Sequence, residues 1–164
     1  MQTLSDEERQ QRLEERFASL EERQRLEREM VDSRRVLSVI GHRFGVLSEA
    51  GFREAMKGVV EEIFGVAEVD RWVYRDEVGV VYGSPAVVEV DVLVKDGENI
   101  LLEVKSRVCK GDVSILARKG ELYEKVTKVK PRLAIIGGFI DRDAYVLAKR
   151  VNVEIKPISE DLII

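Results

Sequence analysis

The residues most able to do chemistry lie between Val87 and Ser106, in the sequence VVEVDVLVKDGENILLEVKS. Asp91 lies in the first half of this segment, and Glu103 and Lys105 lie in the second half. Carboxylate oxygens bind Mg²⁺, which commonly uses one or two carboxylates together with waters and substrate phosphate. Two acids beside a lysine therefore form the kind of set that metal-dependent cleavage of a phosphodiester bond needs.

The elements that position these residues are two strands of a predicted β-hairpin. Apolar and polar residues alternate in both halves of the segment, as in strands that bury one face. We predict that Val94 pairs with Ile100 across a loop at residues 95–99, which places Asp91 opposite Glu103. The two acids and the lysine then share one face of the hairpin.

A tighter turn would give a different register. A two-residue Asp96-Gly97 turn would pair Asp91 with Leu102 instead. The apolar pattern favours the longer loop, because the two-residue turn would place Asp91 opposite Leu102 and Val90 opposite Glu103.

Opposed carboxylates need a counter-charge. Directly opposed Cβ atoms are roughly 4.5 to 5.5 Å apart, and like charges at that distance oppose folding. A divalent cation would relieve this repulsion between Asp91 and Glu103. The alternative is an amphipathic hairpin with an ordinary charged face, on which Lys105 pairs with Glu89.

Asp91 and the triplet Glu103-Val104-Lys105 resemble the motif of the PD-(D/E)xK nuclease-like superfamily, which includes restriction endonucleases and archaeal Holliday-junction resolvases. The predicted order of elements over residues 48–158 is also similar to that of the family core. It runs helix, three strands, helix, strand, and then a further helix and strand. Val90 replaces the proline of the family motif. The resemblance implies an α/β fold with a mixed central sheet flanked by helices, preceded here by a long helix.

The resemblance also implies a reaction, the hydrolysis of phosphodiester bonds in DNA. In that case Mg²⁺ or Mn²⁺ would be held by Asp91, Glu103 and the backbone carbonyl of Val104, and Lys105 would orient or deprotonate the attacking water. The alternative is a catalytically silent nuclease-fold module that binds nucleic acid or protein.

In resolvase-like members of the superfamily an acid from the first core helix joins the metal site. That helix is predicted at residues 48–65, with a buried stripe at Phe52, Met56, Val59 and Ile63. Glu49 lies in its first turn, three residues before Phe52, and is preferred. Glu54 lies off the stripe, although its spacing to the end of the helix is closer to the resolvase pattern, so both acids stay open.

A basic segment follows the hairpin. The net charge of the chain is −4, but residues 105–132 carry nine bases against three acids, a net charge of about +6. The alternative is the solvated face of an ordinary helix. The residues that we assign to nucleic-acid binding are Arg107, Lys110, Arg118, Lys119, Lys125 and Lys128.

Residues 1–46 form a separate region before the nuclease-like domain of residues 47–164. The segment from Ser5 to Arg35 has no Gly or Pro and is dense in strong helix formers, which predicts one long helix. Leu13, Phe17 and Leu20 have coiled-coil spacing, and the pattern resumes at Leu26 after a slip. We predict self-association through this helix as a dimer. The alternative is a helix that binds another protein.

The composition excludes several classes of protein. The chain has 164 residues, 45% of them hydrophobic, and no apolar run of roughly 18 residues that would suit a membrane span. One cysteine and one histidine cannot form a Cys/His zinc cluster, and no motif for an organic cofactor is present. We expect a cytoplasmic protein. The 35% of charged residues is typical of proteins from thermophiles.

Overall fold

A computed structural model of the protein describes residues 5–43, 49–65 and 69–158, apart from the side chains of residues 42, 43, 49 and 53. The chain divides into two compact units, Met1–Arg34 and Arg35–Ile164. We call the described part of the first unit, residues 5–34, the arm, and that of the second unit the sheet domain. The predicted boundary after residue 46 lies outside the described residues. None of the described helices is long and apolar enough to cross a membrane.

The long N-terminal helix α1 spans Asp6–Arg43 and confirms the predicted helix. It begins with a capping box, in which the Glu8 amide donates to Ser5 Oγ at 3.3 Å and the Ser5 amide donates to the Glu8 carboxylate at 2.8 Å. The apolar residues of the arm stay exposed, and Phe17 is 63% exposed. The coiled coil itself stays a prediction.

The sheet domain is built on one five-stranded mixed sheet with the strand order β1-β2-β3-β4-β5. Neighbouring strands among β1, β2 and β3 run antiparallel, whereas β3, β4 and β5 run parallel through helical crossovers. This architecture confirms the predicted fold class. The strands are β1 Asp70–Asp76, β2 Ala86–Lys95, β3 Glu98–Val108, β4 Arg132–Ile140 and β5 Val153–Pro157. The helices beside them are α2 Glu49–Phe64, α3 Lys110–Thr127 and α4 Arg142–Arg150.

Helices cover both faces of the sheet, and the alternation of side chains along β3 decides which residue packs on which face. Leu102 belongs to the cluster that contains Met56 of α2, and Val39 near the end of α1 joins it. Leu101 belongs to the opposite cluster, which contains Leu116 of α3. The sheet therefore has an α2 face and an α3 face.

The register of the β2–β3 hairpin corrects the sequence prediction. Asp91 lies opposite Leu102 and not opposite Glu103. The strands are joined by the two-residue turn Asp96-Gly97, whose φ angles of 52° and 79° are those a type I′ turn requires. The predicted register was wrong because it ranked apolar alternation above turn chemistry. When helices cover both faces of a sheet, apolar residues occur on both faces and alternation no longer selects the register.

The observed register also places the predicted site residues on different faces of the sheet. Directly opposed residues share a face, so Asp91 lies with Leu102 on the α2 face, whereas Glu103 follows Leu102 and lies on the α3 face. The predicted arrangement of Asp91, Glu103 and Lys105 on one face of the hairpin is therefore wrong.

Candidate active site

The candidate site lies where β2 and β3 separate. The ladder between these strands runs from the pair Lys95–Glu98 beside the turn to the pair Asp91–Leu102. Farther from the turn, β2 continues to pair with β1, and β3 continues to pair with β4. We call this separation, between residues 86–90 and residues 103–108, the fork. A cleft of about 280 Å³ opens there, and side chains from both faces of the sheet can line it.

Three carboxylates line the cleft, those of Glu89, Asp91 and Glu103. The side chain of Asp91 is 25% exposed and that of Glu103 is 21% exposed, so both are only partly solvated. Separation of the strands brings Asp91 and Glu103 to one cleft, although they are not directly paired and belong to different faces.

Two protein cations neutralise most of this charge. Arg71 of β1 lies 3.6 Å from Asp91, between Nε and Oδ1, and 3.7 Å from Glu89, between Nη1 and Oε2. Lys119 of α3 donates from Nζ to Glu103 Oε1 at 2.6 Å and to the backbone oxygen of Glu89 at 2.7 Å. Three carboxylates face two cations, which leaves the cleft with a negative charge in excess.

Lys105 lies outside this set. Its Nζ is 3.5 Å from Asp112 Oδ1 in the first turn of α3, its side chain is 43% exposed, and it does not line the cleft. Asp112 also accepts a hydrogen bond from the Cys109 amide at 2.8 Å, so its position is fixed by the start of the helix. A partly exposed pair with this long separation contributes on the order of 1 kcal/mol or less. Lys105 can therefore leave Asp112 at little cost.

The two helix acids that the sequence suggested do not line the cleft as far as the structure describes them. Glu54 is 72% exposed and forms an ion pair with Lys57 at 2.6 Å. The side chain of Glu49 lies outside the described residues. Helix α2 instead contributes Lys57 to a second, more apolar cavity of about 230 Å³, which Asp91 also lines.

Most of the predicted nucleic-acid-binding residues are exposed, and one is not. Lys110, Arg118, Lys125 and Lys128 are exposed on or just after α3, and Arg107 is exposed and paired with Asp141 at 2.9 Å. Lys119 is only 6% exposed. Burial removes Lys119 from the exposed basic surface to which the sequence analysis assigned it, and its ammonium contacts Glu103 instead.

The sequence analysis missed Arg71 and the role of Lys119, although a signal for Lys119 was present. Leu116 lies three residues before it, and Leu122 and Tyr123 lie three and four residues after it, so Lys119 falls within the buried stripe of α3. A lysine is almost never fully buried unless it is paired. Its position in the stripe therefore predicts an acidic partner inside the fold.

The oxygen donors in the fork suit a hard divalent cation that binds through only a few protein ligands. Asp91 and Glu103 supply carboxylate oxygens, and Val104, which follows Glu103, also lines the cleft. Among the described residues, no three His, Cys, Asp or Glu side chains converge in a group able to hold a metal. Mg²⁺ commonly binds with such sparse protein ligation and completes its shell with water and substrate phosphates. The chemistry suits an ion shared with a substrate better than a structural ion.

Comparison with known proteins gives two matches to family models. Residues 7–85 match the model described as a protein of unknown function (DUF3782). Residues 86–154 match the model of the PD-(D/E)XK nuclease superfamily. No curated protein and no solved structure gives a significant match. The second match begins with β2 and includes both strands of the fork and all of α3. The match of residues 86–154 to the PD-(D/E)XK nuclease superfamily agrees with the resemblance carried by Asp91 and Glu103-Val104-Lys105.

Proposed function

We propose that this protein is a metal-dependent DNA endonuclease that hydrolyses phosphodiester bonds at the fork. The observation that carries the proposal is the meeting of Asp91 and Glu103 in one cleft, inside the segment that matches the nuclease superfamily. Nucleases of this superfamily generally depend on a divalent metal. For this chain we propose Mg²⁺ or Mn²⁺, since the ligands at hand are hard oxygen donors.

The proposed ligands are Asp91, Glu103 and the backbone carbonyl of Val104, with an acid of α2 completing the shell. Glu49 is preferred for this place over Glu54, because Glu54 is exposed, pairs with Lys57 and does not line the cleft. When bound, the ion supplies Lewis-acid polarisation of the phosphate and stabilises the charge that develops on it. The partial burial of Asp91 and Glu103 supports this role, because a less solvated carboxylate attracts a cation more strongly.

Lys105 is proposed to orient or deprotonate the water that attacks phosphorus in line with the leaving oxygen. It lies on β3 two residues after Glu103, at the open end of the fork, and its weak pair with Asp112 leaves its side chain able to turn. A lysine near the developing negative charge also stabilises it electrostatically.

The exposed bases of α3 are proposed to guide DNA towards the fork. Helix α3 starts two residues after the end of β3, so the basic segment begins beside the cleft. Lys110, Arg118, Lys125 and Lys128 remain exposed for contact with phosphates. Binding through such residues weakens as salt rises, because neutralised phosphates release counterions.

The test is cleavage of single-stranded, duplex and branched DNA with Mg²⁺, with Mn²⁺ and with a chelator. We expect cleavage only with metal, and a loss of at least about 100-fold in Asp91→Asn, Glu103→Gln and Lys105→Ala. Asp143→Asn and Lys149→Ala, on exposed positions of α4, are the matched controls and should cleave like the wild type. Cleavage that persists in Asp91→Asn or in Lys105→Ala would contradict the assignment of the active site to these residues.

A second candidate is a catalytically silent module that keeps the nuclease fold and binds nucleic acid or protein. The ion pairs of Arg71 and Lys119 favour it, because they already compensate most of the carboxylate charge without metal. Calorimetric titration with Mn²⁺ separates the candidates. The endonuclease must bind the ion through Asp91 and Glu103, so loss of the binding heat in Asp91→Asn favours the enzyme. Absence of that heat in the wild type, together with no cleavage of DNA in the presence of Mn²⁺, favours the silent module.

We also propose that the arm pairs with the arm of a second copy of the chain, giving a dimer. Support comes from the exposed apolar residues at coiled-coil spacing, with Leu13 at 52%, Phe17 at 63% and Leu20 at 50% exposure. A narrow apolar stripe on an otherwise charged helix is covered efficiently by an identical helix.

A further inference from the structure

Lys119 is the most deeply buried cation of the fork. Its side chain is 8% exposed, compared with 48% for Arg71. Burying an ammonium is costly unless hydrogen bonds and an opposite charge compensate for the lost water. The burial of Lys119 therefore depends on the two oxygens that it contacts.

Those two oxygens belong to different strands. Glu103 lies on β3 and Glu89 on β2, and both lie beyond the last β2–β3 pair, Asp91–Leu102. The Lys119 ammonium donates to the Glu103 carboxylate and to the backbone oxygen of Glu89. A side chain of α3 thus bridges the two strands at the point where their own hydrogen-bonded ladder has ended.

The bridge uses one of the two carboxylates that a metal would need. Lys119 Nζ is 2.6 Å from Glu103 Oε1, a short charge-assisted hydrogen bond, and this carboxylate is only 21% exposed. Arg71 contacts Asp91 only at 3.6 Å and is far more exposed. A divalent ion entering the fork therefore competes mainly with Lys119, and it would also repel an ammonium that stayed in place.

We propose that Lys119 is a positioning residue that holds Glu103 and takes the place of a divalent ion in the metal-free protein, so that metal binding requires Lys119 to release Glu103. The inference rests on the proposed metal site. As a consequence, the fork binds a divalent ion less tightly than the same carboxylates would bind it without Lys119. A substrate phosphate, which supplies further oxygen ligands to the ion, then helps to complete the exchange.

The test is calorimetric titration of the full chain with Mn²⁺ alone, in the absence of DNA. Lys119→Gln keeps a donor for Glu89 and Glu103 but removes the competing charge, so we expect Mn²⁺ to bind at least about tenfold tighter than to the wild type. Lys119→Arg keeps the charge and should bind Mn²⁺ within about threefold of the wild type. Lys149→Gln, an exposed lysine of α4, controls for the general loss of a positive charge.

A merely structural role for Lys119 predicts the opposite direction, because loosening Glu103 would weaken metal binding. Mn²⁺ binding to Lys119→Gln that is equal to or weaker than wild-type binding overturns the inference, provided that the metal-free variant keeps a cooperative unfolding transition. If that variant does not fold, Lys119→Met is titrated in its place with the same expectation.

The outcomes also separate this inference from the proposed function. If the wild type binds Mn²⁺ and cleaves DNA but Lys119→Gln binds no tighter, the inference fails and the nuclease proposal stands. If the wild type neither binds Mn²⁺ nor cleaves DNA, and Lys119→Gln binds the ion, Lys119 blocks the site, and the nuclease proposal fails while the inference stands. If neither protein binds Mn²⁺, Lys119 is not the competitor and the inference fails; the nuclease proposal fails with it only if the wild type also does not cleave DNA.

Discussion

The arm and the sheet domain carry apolar residues at similar helical spacing, but only the sheet domain buries them. Phe52 of α2 is 2% exposed and Met56 is 1% exposed, whereas Phe17 of the arm is 63% exposed and Met30 is 56% exposed. In α2 the spacing places a stripe against the sheet. Within residues 5–34, the described part of its unit, the arm has no second element against which a stripe could pack.

The difference shows that the formation of a helix and the burial of its apolar stripe have separate causes. Propensity and the capping box at Ser5 are sufficient to define the helix α1. Burial needs a partner, whereas ion pairs such as those of Arg25 with Glu22 at 2.6 Å and with Glu29 at 3.9 Å form within the arm helix itself. Such pairs contribute only about 0.2 to 0.5 kcal/mol each. We therefore expect the arm to depend on a second molecule and the sheet domain to be stable by itself.

The largest expected effect comes from replacing one leucine in each region and comparing the change in the free energy of unfolding. Leu102→Ala removes a side chain that is 2% exposed between α2 and the sheet, and should lower the free energy of unfolding by about 2 to 5 kcal/mol. Leu20→Ala removes one that lies in the arm and is 50% exposed, and it should change the free energy of unfolding of the sheet domain by less than about 0.5 kcal/mol. Urea unfolding followed by the fluorescence of Trp72, the single tryptophan, reports the sheet domain. Equal effects of the two substitutions would contradict the comparison.

The next effect concerns the association of the arm. Phe17→Glu places a charge in the exposed stripe and should weaken self-association at least about tenfold, because a charge buried between paired helices is costly. Sedimentation equilibrium measures the dissociation constant. Gln11→Glu adds the same charge on another side of the helix and should leave the constant almost unchanged. A wild-type protein that stays monomeric at all concentrations would reject the dimer and favour a different partner for the arm.

Features with strong local signals could be predicted from the sequence. The long helix lies where composition predicts it, and the elements over residues 48–158 follow the predicted order of helix, three strands, helix, strand, helix and strand. These elements depend on propensity and periodicity, which are properties of neighbouring residues.

Features that depend on contacts between distant residues could not be predicted in the same way. The predicted β2–β3 register was wrong because helices cover both faces of the hairpin, so that apolar alternation did not select the register. The local Asp96-Gly97 turn did indicate the observed register. The fork arises because β2 and β3 follow different neighbours, β1 and β4. Lys119 reaches Glu103 across 16 residues of sequence, so its role follows from the packing of α3 on the sheet.

The stability of the sheet domain should depend on pH through the buried carboxylate of Asp76. Asp76 ends β1 and is 1% exposed, and its carboxylate accepts hydrogen bonds from the amides of Val81 at 2.9 Å and Gly79 at 3.0 Å. The amide of Val81, and then those of residues 78–80, lower the pKa of Asp76 below its ordinary value, against the opposing effect of burial. A carboxyl with a lowered folded-state pKa contributes stability that is complete above its unfolded value of about 3.9. That contribution is lost as the pH falls through the folded-state pKa.

We therefore expect Asp76→Asn to lower the unfolding midpoint of the sheet domain at pH 7. The difference from the wild type should begin to shrink as the pH falls below about 4, the unfolded-state pKa, and should continue to shrink until the folded wild-type carboxyl also becomes neutral. Thermal unfolding followed by Trp72 fluorescence at a series of pH values measures this convergence. Asp70→Asn, an exposed acid at the other end of β1, is the matched control. A difference between wild type and Asp76→Asn that is independent of pH would contradict the role assigned to the carboxylate.

The smallest effects compare two local features, the turn at Gly97 in the sheet domain and the ion pairs of Arg25 in the arm. Gly97 has φ of 79° in the β2–β3 turn, and a Cβ placed there would meet no atom within 4 Å. Gly97→Ala should therefore cost only backbone strain, about 1 to 2 kcal/mol. Arg25→Ala in the arm removes the exposed pairs with Glu22 and Glu29 but introduces a better helix former, so its net effect should stay below about 0.5 kcal/mol. Urea unfolding measures the first change and far-ultraviolet circular dichroism the second. If Arg25→Ala cost as much as Gly97→Ala, the local ion pairs of the arm would stabilise it by themselves, and the need for a second chain would disappear.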